Sequence, residues 1–351
     1  MRNLNFKVTT ILVLSVCAVL VYGCSEESMI KPPPPAKQMW EAIDNRIENS
    51  GGIFTLKFNS SDDLYVLTLR DNRALHYKDH NSQIWVKTDS VNVDTMLYTI
   101  RSFTFNNSDE LFIGTKEGLI FSSVDYPDSL SVIDTLGVGL FVDVRAMIST
   151  DDGYIFSAVN GAGIYRSQDK GASWTNVGIG LENRNFIRRG LAANSEGDIY
   201  SASWGGDVYK GDNNGSDWNS LNIFKTGYFP NFINCLDIRE DGKPVGGYEG
   251  FFCYYETDPA VVDSSMWIPQ NNGFPENSGQ SVDIRCLEVS PDGTIYAGTY
   301  ENGIFRSTNN GVSWEAINGR LTNLEIQDIA VRSDGKVYIA NLNGDIYRSI
   351  W

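Results

Sequence analysis

Gly293-Thr-Ile-Tyr-Ala-Gly-Thr299, followed by Gly303-Ile-Phe-Arg-Ser307, returns as Gly153-Tyr-Ile-Phe-Ser-Ala-Val159 followed by Gly163-Ile-Tyr-Arg-Ser167. The offset is 140 residues at every position. Weaker copies align on Tyr65, Phe112, Phe156, Tyr200, Val245, Tyr296 and Tyr338, with gaps of 42 to 51 residues. A fixed period of this size marks a repeat architecture, in which one unit cannot bury its apolar face alone.

Residues 39 to 351 number 313, and one seventh of that is roughly 45, the length of a four-stranded propeller blade. Each copy reads as four strands. An alternating first strand such as Ile284-Arg-Cys-Leu-Glu-Val289 runs into a tight turn, with Asp-Gly at Asp152, Asp241, Asp292 and Asp334. Such pairs suit a hairpin because Gly takes positive φ without a steric penalty. The second strand carries a small residue two places after the aligned one, at Gly114, Ala158, Ala202, Gly247, Gly298 and Ala340. Crowding near a radial axis demands this. A tryptophan opens the fourth strand at Trp85, Trp174, Trp218, Trp267 and Trp314, and copy two has lost it.

The seventh copy stops at Trp351 without a fourth strand. Its counterpart lies at the other end: Trp40-Glu-Ala-Ile43, Arg46 and Ile47 match Trp314-Glu-Ala-Ile317, Arg320 and Leu321. The expected fold is therefore all-β, a seven-bladed β-propeller over residues 38–351. Residues 39–47 complete the last blade and shut the ring, which removes exposed strand edges.

Ser167-Gln-Asp-Lys-Gly-Ala-Ser-Trp174 and Ser307-Thr-Asn-Asn-Gly-Val-Ser-Trp314 sit between third and fourth strands, with a looser copy from Gly211 to Trp218. They resemble the Asp box, S-x-D-x-G-x-x-W, of bacterial sialidases, sortilin-type receptors, xyloglucan hydrolases and photosystem II assembly-factor propellers. The inner repeats also look like the propellers of two-component sensor ectodomains. The resemblance implies a folding device on the outer rim, so no catalytic role falls to Asp169.

Arg2 and Lys7 precede an apolar run from Val8 to Tyr22, and the first carboxylate is Glu26. This is the pattern of a secretory signal over residues 1–23. Val21-Tyr22-Gly23-Cys24 resembles the lipobox of bacterial lipoproteins, which implies lipidation at Cys24 and anchoring by several acyl chains. A plain secreted protein cleaved nearby is the competing reading. Ser25 after the Cys favours the outer membrane in that family, and Glu26-Glu27 resembles a surface-export signal. Residues 24–37, with Pro32 to Pro35 consecutive, read as a stiff tether.

The chain holds 28 Lys or Arg against 44 Asp or Glu, for a net charge of −16. An acidic surface argues against nucleic-acid binding, which needs cations to displace counterions. Two histidines, His76 and His80, leave little room for histidine-based catalysis or a metal site, so no metal or cofactor is expected. Cys235, Cys253 and Cys286 are odd in number and read as small core residues.

Aligning the first strands stacks Phe54, Arg101, Arg145, Arg188, Asn234, Arg285 and Gln327 at one ring position. Four of the sixteen arginines in the chain fall there. Two readings stand side by side. Either these residues form a cationic channel mouth that grips an anionic or hydroxyl-rich group, or each arginine ties its blade to its neighbour. Loops on the same face add Lys116-Glu117, Asn160, Trp204, Tyr248-Glu249 and Tyr300-Glu301, with Tyr228-Phe229 nearby. Exposed aromatics there, Trp204, Tyr248 and Tyr300 above all, suit sugar stacking or peptide docking.

Arginines beside Tyr-Glu pairs invite comparison with sialidases, whose three arginines hold a carboxylate while Tyr, Glu and Asp do the chemistry. Their Arg-Ile-Pro motif is absent, since Arg46 is followed by Ile47 and Glu48, and they have six blades. The expected function is a monomeric, lipid-anchored envelope module that binds a protein or glycan without catalysis. A sialidase-like glycoside hydrolase or lyase is the alternative.

Overall fold

The computed structural model describes residues 39–43, 47, 50–69, 74–87, 98–125, 129–137, 142–182, 184–221, 233–257, 266–275 and 282–351. The signal segment, Cys24, the proline tether, Arg46 and Tyr228-Phe229 lie outside them. The described strands form five sheets, four of four strands and one of eleven. Each four-stranded sheet is an antiparallel meander, for example Ile100–Phe105, Leu111–Thr115, Leu119–Asp125 and Ser129–Thr135.

The eleven-stranded sheet is three meanders joined at two narrow seams. Phe186–Ala193 touches Ile233–Ile238 through the parallel pair Arg189↔Cys235. Pro244–Glu256 touches Val282–Val289 through Glu249↔Asp283 and Gly250↔Val282. In the copy built on Val245 the structure departs from four separate strands. Pro244–Glu256 runs unbroken for 13 residues, pairing first with Ile233–Ile238 and then with Met266–Pro269. Gly250, at φ 111°, lets the chain turn without leaving the sheet.

The carboxyl-terminal sheet takes its outer strand from the other end of the chain. Trp40–Ala42 pairs antiparallel with Ile346–Ser349 in the register Trp40↔Ser349, Glu41↔Arg348 and Ala42↔Tyr347. Trp40 is 4% exposed, donates from Nε1 to the Ile317 carbonyl at 2.6 Å and meets Trp351 edge-on at 5.0 Å. The repeat match between the two termini thus corresponds to a real strand pair.

Why the small residues recur is visible in the packing. A Cβ on Gly114 would lie 2.2 Å from a Val144 methyl, on Gly247 2.5 Å from Ile284, and on Gly298 2.6 Å from Ile326. In each case a branched residue near the start of the next inner strand stands in the way, joined at Gly247 and Gly298 by the sulfur of Cys235 or Cys286. The core accordingly lies between successive meanders: Phe112 and Ile120 meet Val144 and Ile155, and Phe156 meets Phe186 and Ile199. The first and last meanders share such a cluster too, Ile53, Leu56 and Val66 packing on Ala330, Tyr338 and Ala340. Each large apolar side chain so buried contributes about 1.5–3 kcal/mol. Among the described residues Cys235, Cys253 and Cys286 are free, and each is buried in another such cluster.

On the outer side, the Ser167–Trp174 turn is held by its own side chains. Ser167 Oγ accepts from Gly171 N at 2.7 Å, and the Asp169 carboxylate accepts from Ser173 N at 2.8 Å and Ser173 Oγ at 2.6 Å. These bonds hold the Asp169 carboxyl below the usual range.

Candidate functional site

Every inner strand is irregular at the same place. Register shifts separate Ile53 from Thr55, Ile100 from Ser102, Val144 from Ala146, Ile233 from Cys235, Ile284 from Cys286 and Ile326 from Asp328. The skipped residues are Phe54, Arg101, Arg145, Asn234, Arg285 and Gln327. A β-bulge re-aims the side chain it carries, and here it turns each one toward the axis. With Arg188 and Trp204 they line one cavity of about 420 Å³. The ring position inferred from the repeats is therefore one physical site.

Its electrostatics are uneven. Asp143 lies between two arginines, 3.3 Å from Arg101 Nε and 3.4 Å from Arg145 Nη1. One carboxylate thus faces two guanidiniums. Burial lowers the pKa of Arg145, Asp143 opposes that, and Arg101 adds to it. Across the mouth, Arg285 pairs with Asp283 at 2.7 Å, and Asn234 donates to the same carboxylate at 2.8 Å. Burial raises the Asp283 pKa against the pull of Arg285. The ring holds four arginines and these two aspartates.

Two further expectations divide. Tyr300 is 40% exposed, with the Arg285 guanidinium 4.6 Å above its ring, and Trp204 is 61% exposed at the rim. Tyr248 does not belong with them. It is fully buried, stacked on Phe251 at 4.9 Å, because the strand runs through where a loop was expected. Glu249 remains exposed. Asn160 turns out to be structural, accepting from Phe186 N at 2.7 Å.

Part of the ring is tied into the neighbouring meanders. Between its flanking pairs, strand Phe186–Ala193 carries four residues where Ile53–Phe58 carries two. This longer bulge puts both Arg188 and Arg189 into the channel. Arg188 donates to the carbonyls of Phe54 and Gln327 and stacks on the Phe54 ring at 4.4 Å. Arg189 donates to Leu287 O at 2.9 Å and Ile329 O at 2.8 Å, and pairs with Asp328 and Glu288. The two arginines therefore cross the channel from one meander to three others.

Below them is a second cavity of about 330 Å³, sharing Arg101 and Arg188 with the mouth. Besides Arg101, Arg188 and Arg189 it is lined by Lys57, Asp237 and Glu288, which occupy one register place in three inner strands, opposite Tyr65, Val245 and Tyr296. Sequence reasoning missed this layer. The signal was a charge in mid-strand, among apolar neighbours, three residues after the ring position. Burial pushes the Asp237 carboxyl up to about 6 and that of Glu288 to about 8, and brings the Lys57 ammonium down to about 8.

On the outer edge of the first meander, Asp63, Asp79 and His80 gather, with His80 Nδ1 3.1 Å from Asp63. The hydrogen bonds of this group are satisfied locally, by His80 N among others.

No family model matches the chain, and no curated protein matches its sequence. Solved structures do resemble it. YCF48 bound to a D1 peptide has a TM-score of 0.68 at 18% identity, over 90% of this chain and 99% of YCF48. The extracellular domain of the hybrid two-component system BT4673 from B. thetaiotaomicron gives 0.67 at 16%, over 90% of this chain and 40% of that one. Virginiamycin B lyase from Staphylococcus aureus gives 0.65 at 11%, over 87% and 97%. At such identities the likeness speaks to architecture, and it identifies the described chain as an all-β β-propeller.

Proposed function

We propose that this chain is a lipid-anchored module of the cell envelope, a closed seven-bladed propeller whose channel mouth binds an anionic group of a protein or glycan without catalysis. The terminal strand pair supports closure, as does the bond from Thr55 and Leu56 to Asp328, which links the first inner strand to the last. The lipobox at Val21–Cys24 supports the anchor. The observation that carries the binding reading is the convergence of register-equivalent residues on one cavity, where Arg101 and Arg145 share a single carboxylate.

Guanidiniums grip carboxylates, sulfates and phosphates through paired donors. The exposed rings of Trp204 and Tyr300 beside them supply a flat apolar contact. YCF48 binds a peptide on this fold, which favours a protein ligand for the mouth. Catalysis finds less support. A variant of the virginiamycin B lyase lacking one histidine is catalytically inactive, whereas His76 and His80 of this chain lie in strand Leu75–Lys78 and the turn after it. Both mouth aspartates are engaged with arginines.

Acidic-peptide and anionic-glycan arrays probed with wild type and with Arg145→Ala and Arg285→Ala test this. Both guanidiniums are partly open to solvent, which screens their charge, so each substitution should weaken binding by roughly three-fold or more. Arg188 is unsuitable as a test because it braces the channel. Unchanged binding with a lowered melting temperature would assign the ring to structure alone. Metabolic labelling with an alkynyl fatty acid, lost in Cys24→Ser, tests the anchor.

A further inference from the structure

The inner cavity plays no part in the mouth reading, yet it holds groups that chemistry can use. Lys57 enters it from strand Ile53–Phe58. Among the described residues its Nζ has one hydrogen-bond acceptor, the Met147 carbonyl at 3.3 Å, and no carboxylate at ion-pair distance. The Phe103 ring lies 5.9 Å away on one side. The other charged groups lining the cavity are Arg101, Arg188, Arg189, Asp237 and Glu288, and Arg189, Glu288 and the buried Asp328 act on the Lys57 ammonium. Arg189 and Asp328 are committed to each other, and Asp328 also to Thr55 and Leu56. Glu288 has a single long contact, 3.6 Å to Arg189, and is 30% exposed. At about 330 Å³ the space matches the small end of ligand pockets, about 300–1,000 Å³.

We propose that Lys57 is a reactive amine and that the inner chamber receives a small aldehyde or ketone, which condenses with it to an imine. The amine lone pair attacks the carbonyl carbon, and the carbonyl oxygen becomes the hydroxyl of a carbinolamine. That hydroxyl then leaves as water, taking a proton from the Glu288 carboxyl. The nitrogen returns its proton to the Glu288 carboxylate as the C=N bond forms. The two hydrogens of the amine and the oxygen of the carbonyl compound leave as one water, and no oxidant or reductant is needed. A lysine serves such chemistry when desolvation keeps part of it neutral. Burial does this for Lys57, with Arg189 assisting, and burial together with Asp237 keeps Glu288 protonated near neutral pH.

The test is reductive trapping on the full-length protein, with propanal and cyanoborohydride at pH 8, read by peptide mass spectrometry. Exposed Lys116 and Lys170 are the internal references. An ordinary lysine is under about 1% neutral at that pH, against about half for an amine titrating near 8; lower basicity gives back part of the gain, so Lys57 should be labelled about ten-fold faster. The rate at Lys57 should level off above pH 8, while that at Lys116 keeps rising. Glu288→Gln should slow labelling of Lys57 at least three-fold and leave Lys170 unchanged. Labelling of Lys57 at or below the rate of Lys116 overturns the proposal. The pH profile of the wild type decides the matter even if the Glu288 variant fails to fold.

Discussion

Asp328→Asn is the substitution that most directly probes how the channel is held together. Asp328 is fully buried and accepts from Thr55 Oγ1 at 2.5 Å and Leu56 N at 2.9 Å while pairing with Arg189. The amide keeps an acceptor for Leu56 but removes the charge. Arg189 cannot deprotonate, and near neutral pH Glu288, at 3.6 Å, holds its proton, so a buried cation is left with no carboxylate paired to it. Breaking a buried pair from one side costs about 3–5 kcal/mol, and the carbonyls of Leu287 and Ile329 that Arg189 keeps argue for the lower end. In a domain of this size that is a melting temperature lower by about 6 °C, at about 2 °C per kcal/mol. Arg189→Met should cost a similar amount, and the double variant should lose less than the two singles together, because neither charge is then stranded. Scanning calorimetry on all four proteins gives the cycle. A loss under about 1 kcal/mol for Asp328→Asn, or strict additivity, would refute the idea that this pair braces strand Phe186–Ala193 against the last inner strand.

Trp40→Ala should weaken the terminal strand pair by roughly 3–5 kcal/mol, the range for a buried aromatic. Urea denaturation checks it, and an unchanged midpoint would mean that Trp40–Ala42 is a passive appendage. The channel charges also set a pH dependence. Glu288 and Asp237 hold their protons to higher pH in the folded chain than in the unfolded one, so stability falls as pH rises from about 4.5 to about 8. Lys57 acts in the opposite sense above that, because only the unfolded chain stays protonated between about 8 and 10, so its part of the stability rises there. Glu288→Gln should flatten the fall between pH 5 and pH 8 in urea midpoints; wild-type and variant curves running parallel would contradict it.

The sequence made the mouth legible because the repeats supply their own alignment. Arg101, Arg145 and Arg285 share a column only when Phe112, Phe156 and Tyr296 are superposed, and that column is the bulge. The bulge itself left no mark, since an extra residue in one strand of a pair is a matter of hydrogen-bond register. Tyr248 was misplaced for a local reason. Its copy has Glu249-Gly250 where others have a four-residue turn, and a glycine at φ 111° carries the strand onward. Arg189 lies eleven residues before Tyr200, the spacing at which Arg101, Arg145 and Arg285 precede Phe112, Phe156 and Tyr296, but matching the Ile-Arg pair put Arg188 in that column instead. The register of Trp40–Ala42 on Ile346–Ser349, by contrast, follows from the Trp-Glu-Ala-Ile match alone.

Repetition places like residues around one cavity, and a set of identical groups offers no preferred orientation to a ligand. The selectivity of such a site must come from what breaks the symmetry. Here the break is the longer bulge in Phe186–Ala193. It sends Arg188 to Phe54 and Gln327 and Arg189 to Leu287 and Ile329, so one meander braces three others across the axis. The same side chains partition the channel into an outer cavity rich in arginine and an inner one holding Lys57, Asp237 and Glu288. Two inserted residues in one strand thus give an otherwise repetitive wall one meander that differs from the rest.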